Sequence, residues 1–154
     1  VLDHHRLELV LDQAGIKWVN DSKATNPHAA LAALLSQISA IWIAGGLTKG
    51  ADMNDLITRG KSRFREVILI GQDSEIIKIA LTKHAPEVPL HIIASDKTGD
   101  ALMLEVVALA KSIAKSGDTV LLAPACASMD QFTSYADRGN AFAKAIEKLV
   151  VNNG

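Results

Sequence analysis

The sequence predicts an α/β domain: a mostly parallel sheet with helices on both faces, entered through an N-terminal β-hairpin. Three observations carry this expectation. Short apolar runs bounded by Gly, Pro or Asp recur along the chain, and segments with helical periodicity separate them. The runs are also apolar enough to be covered on both faces, as parallel strands are.

The elements follow in order. "RLELVLDQAGIKWVNDS" (6–22) holds two strand-like runs around "QAG", which marks a hairpin turn. Strands are then expected at "AIWIAGG" (40–46), "EVILIG" (66–71), "PLHIIA" (89–94) and "DTVLLAP" (118–124). Helices are expected at 27–36, about 52–60, 74–84, 98–115 and 138–150. In the fourth helix Leu102, Val106, Leu109 and Ile113 form a stripe that faces a core. No internal repeat, low-complexity tract or long linker interrupts the pattern. "VLDHH" reads as a connector, which suggests a domain cut from a longer protein: residues 1–7 as interdomain linker and 8–154 as one domain.

Composition excludes several function classes. The 154 residues suffice for one domain, which buries roughly two-thirds of its unfolded surface. A net charge of −1 with no run of one sign gives no electrostatic grip on nucleic acid or an anionic membrane. No apolar stretch is long enough to span a bilayer, and no signal-peptide pattern is present. One cysteine cannot form an internal disulfide and suits a reducing compartment, so a cytoplasmic location is expected. The five histidines lack zinc-like spacing, and no metal site is expected. "RGKSRFRE" (59–66) reads as a solvated helix end.

Three strand-to-helix bends carry unusual chemistry, all on the sheet edge where ligands of α/β domains bind. In "NDSKATNP" (20–27), Asn26 caps a helix that Pro27 begins. Lys23 and Thr25 stand before that helix N-terminus, which favours an anion. Asp21 suits sugar hydroxyls or the orientation of Lys23; capping and turn chemistry alone would also account for the stretch. In "GGLTKGAD" (45–52) two glycines allow close backbone approach and Lys49 follows, but neither P-loop nor G-x-G-x-x-G spacing occurs. In "LLAPACASMDQFTSYADRG" (121–139) Ser128 is placed at a helix start, with Met129, Phe132 and Tyr135 at helical spacing. Cys126 has no nearby His or acid to activate it, so it reads as a small buried filler rather than a nucleophile.

Together, "NDSKATNP", "GGLTKGADM" and "APACASMDQFTSYADRG" resemble, in order and spacing, the C-terminal domain of the Mur ligases. The resemblance spans essentially the whole chain, and the "DSKATN" run favours the member that adds D-glutamate to UDP-N-acetylmuramoyl-L-alanine. It implies a Rossmann-like domain that delivers D-glutamate and closes over ATP and Mg, both held mainly by a central domain on which it docks. The chemistry implied is amide formation through an acyl phosphate in peptidoglycan precursor synthesis. Thr25 and Lys49 then look like partners of one D-glutamate carboxylate, and Ser128 with Met129 to Tyr135 like partners of the other. Lys23 looks like the catalytic cation beside the transferring phosphoryl group. Asp21 looks like the ribose ligand, and Arg6 like a hinge arginine that reaches the nucleotide.

The family's ATP loop, magnesium ligands, modified lysine and UDP-binding domain have no counterpart here, so the chain alone is expected to be inactive. Ala123 stands where a serine is common, "GGLTKG" is one of several loop variants, and Tyr135 replaces a common phenylalanine. Two other readings stay open on the sequence: a related Mur or folylpolyglutamate-type ligase domain for another amino acid, or a non-catalytic α/β binding module.

Overall fold

A computed structural model describes residues 4–152. Residues 1–3 of the expected linker and 153–154 at the far end lie outside the described residues. The chain runs β1 (Glu8–Gln13), β2 (Ile16–Asn20), α1 (Pro27–Leu35), β3 (Ala40–Gly45), α2 (Asn54–Gly60), β4 (Phe64–Ile70) and α3 (Ser74–His84). It continues with β5 (Leu90–Ile92), α4 (Gly99–Ile113), β6 (Thr119–Leu122) and α5 (Tyr135–Ile146), which ends in a wider π-helical turn over Glu147–Val151.

The six strands form one sheet in the order β1-β2-β6-β3-β4-β5. Only β1 is antiparallel, pairing with β2 at the edge through a turn at Ala14 and Gly15. Both turn residues have positive φ, the twist that a two-residue hairpin needs. The other pairs are parallel. Strand alternation then divides the core in two. Trp42, Ala44, Val67, Leu69 and Leu121 pack against α1, α2 and α3, while Ile41, Ile43, Ile68, Ile70 and Val120 pack against α4 and α5. Every residue of β3 is buried, as expected for a strand covered on both faces. The inferred fold class is therefore the observed one.

Three local expectations need correction. Ser128 does not start a helix: residues 123–134 form an irregular loop, and α5 begins at Tyr135 with the Ser134 side chain accepting from Asp137 N. Ala125 at φ +63 and the pairing of Ala127 with Leu47 hold this segment out of helical geometry. The 59–66 charge run is not simply a solvated helix end. After a 3-10 turn at Lys61–Arg63 it enters β4, where Arg65 pairs with buried Asp118 at 2.6 Å. Finally, the buried stripe of α4 is Leu102, Met103, Val106, Val107 and Ala110, with Leu109 and Ile113 at its margin.

The order of strands positions the site. β2 and β3 lead into α1 and α2 on one face, while β6 between them leads toward α5 on the other. Neighbouring connections thus diverge at the C-terminal ends of β2, β6 and β3 and leave a crevice there.

Candidate active-site edge

All three bends lie at that edge, and main-chain hydrogen bonds gather them. Ala125 N donates to Ala24 O at 2.9 Å, tying the third bend to the first. Gly45 N donates to Pro124 O at 2.9 Å, tying the second to the third. Beyond it, Leu47 and Ala127 form an antiparallel bridge that holds the Lys49 and Ser128 segments side by side. The two glycines earn their place by close backbone approach: a Cβ at Gly45 would strike Ile70 O, and one at Gly46 would strike Ala127 O.

The first bend is built as its sequence suggests. Asn26 accepts from Ala29 N at 2.9 Å and Pro27 opens α1. Asp21 is buried, and Lys23 and Thr25 are partly exposed. Lys23 Nζ lies 6.0 Å from the Tyr135 ring centroid, so the first and third bends meet through side chains as well. Arg6, Asp21 and Lys23 line one cavity of about 240 Å3 whose remaining wall is Leu7, Ala24, Ala29, Ala32 and Ala33. The cavity thus brings a carboxylate and two cations together against a small-residue apolar wall. No group of three or more His, Cys, Asp or Glu side chains comes together among the described residues.

In the other bends Lys49 is exposed on a loop with φ +51, a left-handed conformation. Ser128 is buried, whereas Met129 and Tyr135 reach solvent at 65% and 37% exposure. Cys126 is buried, and burial pushes its thiol up to about 12, which suits a filler and not a nucleophile.

Sequence reasoning missed the braces behind these residues. Arg138 is 1% exposed and donates to Ser22 Oγ (2.9 Å), Ser22 O (2.8 Å) and Cys126 O (3.0 Å). Ser22 Oγ in turn donates to Tyr135 O at 2.6 Å. Burial lowers the Arg138 pKa to about 10, which still leaves it charged at neutral pH. His5, in which the sequence showed no role beyond the lack of zinc-like spacing, also braces this edge. Its carbonyl accepts from Lys23 N, its Nδ1 lies 3.0 Å from Asn20 Nδ2, and its ring meets Tyr135 edge-on. Arg138 had a readable signal, since Arg138, Ala141, Phe142, Ala145 and Ile146 share the buried stripe of α5. An arginine on such a stripe needs several acceptors.

With this geometry in place, comparison with known proteins is decisive. Residues 5–126 match the family described as "Mur ligase, glutamate ligase domain". The chain belongs to that family. The matched span of this Mur ligase domain includes Arg6, Asp21, Lys23, Thr25 and Lys49, and stops before Ser128, Met129 and Tyr135. The domain is 50% identical over 147 residues to the UDP-N-acetylmuramoylalanine–D-glutamate ligase of Streptomyces coelicolor, covering 96% of this chain and 31% of the relative. It is 48% identical over 149 residues to the enzyme of that name from Leifsonia xyli, covering 97% of this chain and 29% of the relative. The chain thus spans about a third of the length of these curated relatives.

Among solved structures the Mur ligase domain resembles UDP-N-acetylmuramate–alanine ligase from Thermotoga maritima, with a TM-score of 0.56 at 13% identity. That match covers 94% of this chain and 30% of the other. It also resembles a bifunctional folylpolyglutamate synthase/dihydrofolate synthase from Yersinia pestis, with a TM-score of 0.51 at 18% identity, over 94% of this chain and 31% of the other. Both likenesses concern the fold.

Proposed function

We propose that this chain is the D-glutamate-delivering domain of an ATP-dependent ligase that adds D-glutamate to UDP-N-acetylmuramoyl-L-alanine in cytoplasmic peptidoglycan precursor synthesis. The single observation that carries the reading is the backbone stitching of the Lys23, Lys49 and Ser128 bends into one rim. Identity near 50% to ligases of that name supports the choice of amino acid. Residues 1–7 serve as the linker and 8–154 as a domain that docks on a central ATP-binding domain.

Thr25 and Lys49 receive one carboxylate of D-glutamate; Ser128, Met129 and Tyr135 receive the other. A doubly acidic amino acid needs two anion sites, and a rim assembled from several loops offers them at a fixed separation. Asp21 and Arg6 hold the nucleotide's sugar and phosphates in the cavity beside Lys23. ATP supplies the phosphoryl group that activates the acceptor carboxylate as an acyl phosphate, and Mg is held mainly outside this chain. The free amine of D-glutamate then attacks the acyl carbon, the C–N bond forms, phosphate leaves with the electron pair of the broken C–O bond, and the nitrogen gives up one proton to the departing phosphate or to solvent. Lys23 offsets the negative charge that accumulates on the oxygens during these steps.

Two experiments test the reading. Amide NMR shifts of the chain are followed while D- and L-glutamate are titrated separately; D-glutamate perturbs residues around Lys49 and Ser128, and L-glutamate does so more weakly. Joining the chain to the remaining two-thirds of a matching ligase restores ADP release that depends on D-glutamate. No shift and no release would leave a non-catalytic module. Release with a different amino acid would reassign the substrate.

A further inference from the structure

A fourth loop, absent from the three sequence motifs, joins the two proposed carboxylate sites. Gly71, Gln72 and Asp73 connect β4 to α3, and Gly71, at φ +88, has no room for a Cβ, which would strike the backbone of Gly46. Asp73 makes three bonds to the Lys49 bend. Its Oδ2 accepts from Thr48 N at 2.8 Å and from Thr48 Oγ1 at 3.2 Å, and its own N–H donates to Gly46 O at 3.0 Å. Next to it, Gln72 N donates to Asp130 Oδ2 at 2.8 Å, in the Ser128 bend. Ser128 O accepts from Gln131 N and Phe132 N, so Asp130 sits in a closed turn with Ser128.

We infer that Asp73 is a positioning residue for the amino-acid site: through Thr48 it fixes the left-handed Lys49 and, with Asp130, sets the separation between the Lys49 and Ser128 anion sites. This rests on the function proposed above. Thr48 is buried, so its amide and hydroxyl depend on this carboxylate for their hydrogen bonds rather than on water. A carboxylate oxygen that takes both donors of Thr48 pins the peptide leading into Lys49, and so holds Lys49 in its left-handed conformation. A separation held fixed discriminates between dicarboxylates of different length, so the device acts on selectivity between D-glutamate and the shorter D-aspartate.

The test uses the parent ligase carrying this domain, with steady-state constants for D-glutamate, D-aspartate, ATP and the UDP-linked acceptor. Asp73→Ala raises the KM for D-glutamate about tenfold, leaves kcat within about twofold, and narrows the preference over D-aspartate. Asp73→Asn keeps an acceptor oxygen toward Thr48 and recovers most of the loss. Thr48→Val removes only the hydroxyl arm and gives a smaller rise in the same constant, which decides the matter if Asp73→Ala does not fold. An unchanged KM for D-glutamate in these variants overturns the inference, as does a parallel rise for all substrates. Asp73→Asn as impaired as Asp73→Ala also overturns it, because the charge and not the hydrogen bonding would then be at work. D-glutamate-dependent ADP release by the unsubstituted ligase is measured first; its absence would sink the proposed function itself, separately from Asp73.

Discussion

Leu47 and Ala127, eighty positions apart, exchange both backbone hydrogen bonds at 3.0 Å and so fasten the Lys49 bend to the Ser128 bend. The pairing needs Gly46 beside it, at φ +134 and with no room for a Cβ against the Ala127 carbonyl. Gly46→Ala therefore destabilises the domain by more than about 2 kcal/mol, read as a fall in urea midpoint at unchanged slope. A variant as stable as the parent would show that the two bends are not held in this register.

Lys49→Ala in the parent ligase raises the KM for D-glutamate about tenfold or more while the KM for ATP stays within about twofold. The exposed position of Lys49 makes folding defects a minor contribution, so the kinetic effect reads the ligand contact directly. An unaltered KM for D-glutamate would remove Lys49 from the carboxylate site.

Arg138→Met conserves volume but strips hydrogen-bond donors from Ser22 O and Cys126 O in a buried setting. The expected cost is about 3 kcal/mol by chemical denaturation, because buried acceptors are left without partners. Amide shifts of residues 21–25 move with it, since Ser22 is the anchor of that bend.

The opposite edge of the sheet predicts a pH dependence. Burial opposes ionisation of Asp118, but the Arg65 guanidinium, the Lys115 amide and the Ser39 hydroxyl outweigh it and hold the carboxyl below its ordinary value of 3.8. A lowered folded pKa adds stability that is present above the unfolded value and is lost as pH falls through the folded one. Asp118→Asn thus destabilises at pH 7, and the gap to the parent narrows from about pH 4 downward. Denaturation midpoints across that range measure it; a constant gap would contradict the assignment.

Much of this architecture could be read in the sequence because its causes are local. Asn26 and Pro27 start α1 where their chemistry says, and α3 spans the expected 74–84. The parallel sheet followed from strands apolar on both faces. What stayed hidden depends on distant partners. The Ser128 segment carries small residues and a serine, locally compatible with a helix start. Its pairing with Leu47 and the left-handed Ala125 keep it irregular, and no short window contains that information. Arg65 looked solvated among its charged neighbours, yet its partner Asp118 lies 53 positions away. Asp73 was invisible because it contacts the Lys49 bend through a loop that carries no motif of its own.

The main-chain stitches between bends run through peptide groups of Ala24, Ala125, Gly45, Pro124, Leu47 and Ala127, not through the side chains proposed to meet a guest molecule. Frame and reading head are therefore separable. Exchanging rim residues such as Thr25 or Lys49 leaves the mortar of the edge intact, so one scaffold can be re-tuned to carry a different cargo by a handful of replacements without relearning how to fold.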